Sequence, residues 1–291
     1  MEKEFPLVSI ITPSYNQGRF LEDTILSVKN QDYPNLEHIV IDGGSTDNSL
    51  EILKRYQGTY NLCWISEADN GQSEAINKGF RMAKGEIIGW LNSDDVYFDR
   101  NVIFCIVNYF NKLPFTDILY GNGCVINSLN NIIRIRQTIW FSYNRLLRTN
   151  YITQPSTFFR RNVIQKHLLD ENIDLPMDYE FWLKIGQDGY KFKHINKILS
   201  SDRAHFVAKS LSRRKEMIME SRSIKRRYGQ KPFSLSYILD KILFVFVKTY
   251  GLKALVKLYL TRKNNLAFPA VFEPFHKAFF RQFLYLFKIE L

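Results

Sequence analysis

The sequence predicts an α/β protein: a mainly parallel sheet with helices on its faces. Three observations carry that expectation. Apolar, β-branched runs alternate with segments of helical period through the first hundred residues, and such alternation requires right-handed crossovers between parallel strands. Each of four runs stops at a loop rich in Asp, Asn, Ser and Gly. One of these loops, Asn92-Ser93-Asp94-Asp95, sets two adjacent carboxylates at the end of a run, Ile87 to Leu91, that is apolar enough to be buried on both faces. In open α/β sheets the carboxyl edge is where ligands bind. Side-by-side carboxylates repel, and a hard divalent cation such as Mg2+ or Mn2+, which also bridges to phosphates, would stabilise them there.

Taken in order, Leu7 to Thr12 is the first strand, closed by a turn from Pro13 to Gly18, and Phe20, Leu21, Ile25, Leu26 and Val28 mark the following helix. His38 to Ile41 is the second strand. Its loop, Asp42 to Asp47, leads to a helix beginning near Asn48, for which Ser45 or Thr46 can cap. Cys63 to Ser66, the loop Glu67 to Gly71 and a helix over Ser73 to Lys84 repeat the unit before the Ile87 strand. Tyr15 is placed to pack on a base and Asp42 to accept from a base or ribose, with glycines allowing close backbone approach.

Beyond the acidic turn, Asn101 to Lys112 is a helix, Ile118 to Gly121 and Cys124 to Ile126 are strand material, and Asn127 to Asn131 is a polar hairpin tip. Gln154 and Thr157 read as polar positions of a strand that ends at Arg160-Arg161. Asp178 stands near the start of a helix packed through Phe181, Trp182 and Ile185, where a carboxylate caps the end and meets the dipole. His205 follows a strand and precedes a basic, Ser-rich loop.

The 291 residues, 45% hydrophobic and 15% aromatic, suffice for a full core. The net charge of +11 is uneven: Arg203 to Leu291 holds 19 Lys or Arg against 5 Asp or Glu. Apolar clusters with interspersed lysines over Leu235 to Leu260 and Phe268 to Phe287 suggest helices lying on an anionic membrane surface; a helical subdomain or a dimer contact is the alternative. Large aliphatic clusters in place of stacking loops argue against nucleic acid. Cys63, Cys105 and Cys124 are too few and scattered for a disulfide framework and read as buried thiols. With neither a signal-like N-terminus nor an apolar run of membrane-spanning length, the expected place is the cytoplasm, peripheral on the inner face of the membrane.

VSIITPSYN, IDGGSTD, EADNGQSEAINKGF and GEIIGWLNSDD, in this order and spacing, resemble the nucleotide-sugar half of family 2 glycosyltransferases of the GT-A fold, most of all the bacterial polysaccharide and O-antigen enzymes. The resemblance covers about residues 6 to 210. It implies a GT-A-like, Rossmann-type catalytic domain over 1–212, with a donor half to about 97 and an acceptor half after it, followed by a basic amphipathic helical extension over 213–291. By the same resemblance Asn92 to Asp95 takes the place of the metal-binding acidic motif. Asp94 is the main ligand of Mn2+ or Mg2+, with Asp95 and His205 beside it. Pro13, Tyr15, Asn16, Asp42, Gly44, Asp69, Asn77, Ser93, Asp95 and Lys209 are donor contacts. Asp178 is the general base, with Glu180 as its second. Asn92, Gly43 and Met177 depart from the family pattern, each standing where many members carry a carboxylate. The implied activity is inverting transfer of a sugar from a nucleotide-diphosphate donor, a UDP-sugar, to a hydroxyl of a saccharide or lipid-linked saccharide in surface polysaccharide synthesis. A nucleotidyltransferase and a non-catalytic, membrane-associated nucleotide-sugar-binding module are the alternatives.

Overall fold

Strand β1 (Val8–Ser14) is buried at every position, as a strand covered on both faces must be. Its alternate side chains serve two cores. Val8 and Ile10 pack with Val102, Ile106 and Phe110 on one face, and Ile11 packs with Phe80, Trp90 and Trp182 on the other. The computed structural model describes residues 5–205 and 212–229. Lys209 and the expected helices beyond residue 230 lie outside the described residues.

On one side of β1 run β2 (Leu36–Asp42) and β3 (Leu62–Ser66), and on the other β4 (Ile87–Trp90), all parallel. Helices α1 (Leu21–Lys29), α2 (Ser49–Tyr56) and α3 (Gln72–Met82) make the crossovers. The chain continues through β5 (Val96–Tyr97), α4 (Val102–Lys112) and β6 (Ile118–Ile126), then turns back as β7 (Ile132–Arg136). A short helix α5 (Tyr143–Leu146) and a 3-10 turn (Gln154–Ser156) lead into β8 (Thr157–Arg160), α6 (Arg161–Lys166), α7 (Met177–Gln187), β9 (Phe192–Arg203) and α8 (Arg214–Arg227).

The sheet order is β3-β2-β1-β4-β8-β6-β9-β5, with β7 paired to β6. It is the expected mixed sheet, parallel along its first four strands. What sequence pattern does not reveal is the slot of β8, the strand expected to end at Arg160-Arg161, which lies antiparallel between β4 and β6. Its insertion leaves β6 and β9 running in the direction of β4, so that their carboxyl ends join the first four on one edge. β6 is also continuous through Asn122 and Gly123, where two strand pieces are expected.

Helix α7 is buried almost all round, through Met177, Tyr179, Glu180, Phe181, Trp182, Leu183 and Ile185. Truncating a side chain such as Trp182, fully enclosed here, costs about 3–5 kcal/mol. Helix α8 is polar by comparison and buries only Ile224. It is held by side-chain bonds: Lys225 Nζ donates to the Arg148 carbonyl at 2.6 Å and Arg227 pairs with Asp170 at 3.0 Å. Two local expectations are corrected. The cap position of α2 is Asn48, not Ser45 or Thr46, and the side chain that meets the helix start is Asp47, accepting from the Ser49 amide at 3.0 Å, because Ser45 is turned inward to Asp42. Cys63 is exposed rather than buried, since its side of the edge strand β3 faces solvent. Among the described residues no helix is long and apolar enough to cross a membrane.

Candidate functional site

Strand order reverses at β1, where the chain goes first to β2 and later to β4, and such a reversal opens a crevice at the carboxyl edge. The loops around it are knitted to one another. The Asn16 amide donates to Ser45 Oγ at 2.8 Å, Asn16 Oδ1 accepts from the Thr46 amide at 2.9 Å, and the Gly18 amide donates to Asp47 at 2.8 Å. Asn16 and Gly44 take left-handed backbone, with φ of 52° and 81°, which Asn tolerates and Gly adopts without strain. Asp42 is wholly buried. Its carboxylate accepts from the Ser45 amide at 2.9 Å, Ser66 Oγ at 2.7 Å and Ser45 Oγ at 2.5 Å, so it shapes the loop from beneath. Asp69 accepts from the Gly71 amide at 2.9 Å, and burial pushes its carboxyl above the ordinary value. Tyr15 projects, exposed, while Pro13 and Ser93 are buried.

The acidic turn is framed by amides. Asn92 Oδ1 accepts from Trp90 Nε1 at 2.9 Å and Gln72 Nε2 at 3.0 Å, and its Nδ2 donates to Gln154 at 3.1 Å. Asp95 is buried, accepting from the Arg203 amide at 3.1 Å. Burial drives its carboxyl well above the ordinary value, and the charges of Asp94 and Asp202 push the same way. Asp94 is more open and meets His205, its Oδ2 3.0 Å from Nε2. The buried Arg203 guanidinium locks the turn. Its Nε donates to the Asp94 carbonyl at 2.9 Å, and its remaining nitrogens reach Asp23 at 3.0 Å and Asn130 Oδ1 at 2.6 Å.

Asp178, at the start of α7, accepts from Asn150 Nδ2 at 3.0 Å. Burial raises its carboxyl, and the Asn150 bond and the Arg136 charge oppose the rise. Arg136 pairs with Asp202 at 2.7 Å. Burial raises the Asp202 carboxyl too, and its Oδ1 is enclosed without a hydrogen bond. Strand register explains this gathering, since β6 sets Gly123 beside Arg136 and Val125 beside Asp202.

Of the expected site residues, Asp94, Asp95 and His205 are therefore brought together, and Tyr15, Asn16, Gly44 and Asp69 rim the crevice. Two are not brought to it. Asn77 is buried in α3, donating to the Leu169 carbonyl at 3.0 Å and to Glu171 at 2.8 Å. Glu180 is turned into the core, where Tyr228 donates to it at 2.5 Å and Lys184 stands 3.2 Å away. Sequence pattern does not single out Asn150, Arg136, Asp202, Arg203 or the framing role of Gln154. Their partners lie far away in sequence, and only the polarity of Gln154 within an apolar run hinted at a role.

A profile of glycosyl transferase family 2 matches residues 9–167. A chondroitin synthase of Escherichia coli is 28% identical over 269 residues, covering 90% of this chain and 36% of the relative. The chain spans 20% to 36% of the length of the chondroitin and hyaluronan synthases it matches. Among solved structures, S. aureus TarS in complex with UDP-GlcNAc has a TM-score of 0.63 at 17% identity, over 84% of this chain and 73% of that one. The mannosyltransferase PcManGT of Pyrobaculum calidifontis, in complex with GDP-Man and Mn2+, has a TM-score of 0.60 at 20% identity, over 79% and 67%. The likeness to these two is one of fold.

Proposed function

We propose, since this chain belongs to glycosyl transferase family 2, that it transfers a sugar from a nucleotide-diphosphate sugar to an acceptor hydroxyl with inversion. One observation carries the proposal: the Asp94–His205 pair and a separate carboxylate, Asp178, held by Asn150, are joined through one charge chain, in which Arg136 pairs with Asp202 and bears on Asp178 while Asp94 bears on Asp202. Asp178 would take the proton of the acceptor hydroxyl as its oxygen bonds to the anomeric carbon and the bond to the diphosphate breaks. A carboxyl raised by burial is the stronger base for that step. Tyr15 is free to stack on the base, and the Asn16 and Gly44 loops hold the backbone that would line the donor.

The donor set of the acidic turn fits a hard divalent cation. Asp94 and His205 stand together, Asp95 follows Asp94 in the turn, and a neighbouring carboxylate oxygen, Asp202 Oδ1, is buried without a partner among the described residues. Among the described residues no three such side chains close on one point. Asp94, with Asp95 and His205 in support, would thus hold Mn2+ or Mg2+ as part of a set completed by diphosphate oxygens and water. When bound, the ion supplies charge against the leaving diphosphate. A UDP-sugar donor is supported by the UDP-GlcNAc held in TarS. A saccharide or lipid-linked saccharide acceptor, at the inner face of the cell membrane and in surface polysaccharide synthesis, belongs to the same proposal.

The test is a calorimetric titration with UDP, GDP, CDP and dTDP, with and without Mn2+, on the parent chain and Asp94→Ala. Binding of one diphosphate that needs both the ion and Asp94 is expected. Binding indifferent to Asp94 would remove this residue from the metal site. Binding without turnover of any acceptor would favour a nucleotide-sugar-binding module.

A further inference from the structure

The β6–β7 hairpin presents apolar side chains that nothing among the described residues covers. Leu129 is 78% exposed, and Ile132, Ile133 and Ile135 are 58% exposed each. Among the described residues β7 pairs with β6 alone and leaves its outer edge open. Soluble proteins seldom leave such a cluster at an unprotected strand edge. Among the described residues, acidic groups touch the hairpin only from its inner side, Asp23 at Asn130 and Asp202 at Arg136, and the charge of the segment itself is one-sided. From Ile118 to Leu169 the chain has seven Lys or Arg and no Asp or Glu. Arg134 interleaves with the isoleucines, exposed; Arg136, two residues on, is paired to Asp202.

We infer that this hairpin docks on an anionic lipid bilayer, its aliphatic side chains entering the boundary between headgroups and acyl chains and Arg134 meeting lipid phosphates. Charge decides among the occupants. A second copy adding its own β7 across the open edge would bring arginines of like sign together along the ladder, which is destabilising. A nucleic acid would need stacking rings, and the hairpin has none between Asn127 and Gln137. An anionic bilayer satisfies both the isoleucines and the cations.

The hairpin is anchored stiffly enough to transmit its position. Arg203 donates to the Asn127 carbonyl at 3.3 Å and to Asn130 Oδ1 at 2.6 Å, and the same guanidinium holds Asp23 and the Asp94 carbonyl. Docking would therefore set the acidic turn at a fixed height over the surface. The inference rests on the proposed transfer reaction only in giving that height a purpose, delivery of a bilayer-borne acceptor.

The test uses the full chain with Cys63 and Cys105 replaced by Ser and Ile133→Cys carrying an environment-sensitive fluorophore. Phosphatidylcholine vesicles with phosphatidylglycerol should shift the emission to the blue, and vesicles without it should not. An unshifted probe on a vesicle-bound chain overturns the inference, because the contact then lies elsewhere. A second variant, Ile132→Ser with Ile133→Ser and Ile135→Ser, changes only exposed side chains. It should lower partition onto anionic vesicles by more than about tenfold while leaving UDP binding in solution intact. Unchanged partition overturns the inference, as does conversion of a dimer to a monomer, which would assign the face to a second copy. If the parent binds no UDP, the transfer reaction fails, and docking is still decided by the probe.

Discussion

The donor side and the acceptor side of the crevice are built on opposite plans. Around β1, β2 and β3 the polar side chains are used by one another: Asn16 on the Ser45–Thr46 turn, Asp47 on Gly18 and Ser49, Asp42 on Ser45 and Ser66. Shape is fixed there before any ligand arrives. Across the sheet, among the described residues, Asp178 has one hydrogen-bonding side chain, Asn150, and the exposed Arg134 bears on Asp202 by charge alone. A preformed pocket suits a ligand whose nucleotide part is constant. Open charge suits a partner that arrives from outside.

The largest effect that separates the two plans is kinetic. Asp178→Asn should lower kcat by about 10²–10⁴-fold with nucleotide affinity unchanged in calorimetry; retained turnover would break the division of labour between the sides. Asp42→Ala should cost about 2–3 kcal/mol in chemical denaturation, since it strands several buried donors. A smaller loss would mean the donor loops are not knitted as described.

The donor side should also set the acid stability of the fold. His38 lies under the crevice, bonded to Thr12 Oγ1 at 2.9 Å and Tyr60 at 2.7 Å, and burial lowers its pKa from 6.5 to about 3. The unfolded chain binds the proton first, so this stability is complete above pH 6.5 and is lost as pH falls toward 3, by about 1.4 kcal/mol per unit. Asp95, Asp178 and Asp202, raised in the fold, act in the opposite sense. The contribution of His38 is therefore the difference between the melting curves of the parent and His38→Gln across pH 7 to 4. Equal slopes would leave His38 without a part in it.

On the acceptor side, Asn150→Ala removes a bond that lowers the Asp178 pKa. The acid limb of the kcat/KM profile should move to higher pH, with a loss in kcat of about fivefold. A lower kcat with an unmoved limb would make Asn150 merely structural. Smallest of all, Arg134→Gln should change stability by less than about 0.5 kcal/mol, and a larger drop in melting temperature would show that this arginine is not free.

The parts of the molecule legible in the sequence are those whose signals are local. Strand–loop–helix repeats and the acidic turn after Ile87 to Leu91 follow from period and turn chemistry, and the structure has them. The slot of β8 is not legible, because Thr157 to Arg160 specifies neither of its neighbours, and pairing between distant strands decides it. Asp202 and Arg136 met the same obstacle, being neighbours only through β6. Glu180 shows the converse error. It shares the helix of Asp178 and two positions separate them, but at about 100° per residue that step carries a side chain to the far face, and here it ends against Tyr228 and Lys184.

Gly43 and Asp69 share one small volume. A Cβ at 43 would stand 2.6 Å from Asp69 Oδ2, so any side chain there requires the Asp69 carboxylate to swing out of its present rotamer. A carboxylate at 43 would add like-charge repulsion to that displacement. The absence of a side chain at 43 thus sets where the carboxylate of Asp69 rests, and with it the shape of the crevice on that side.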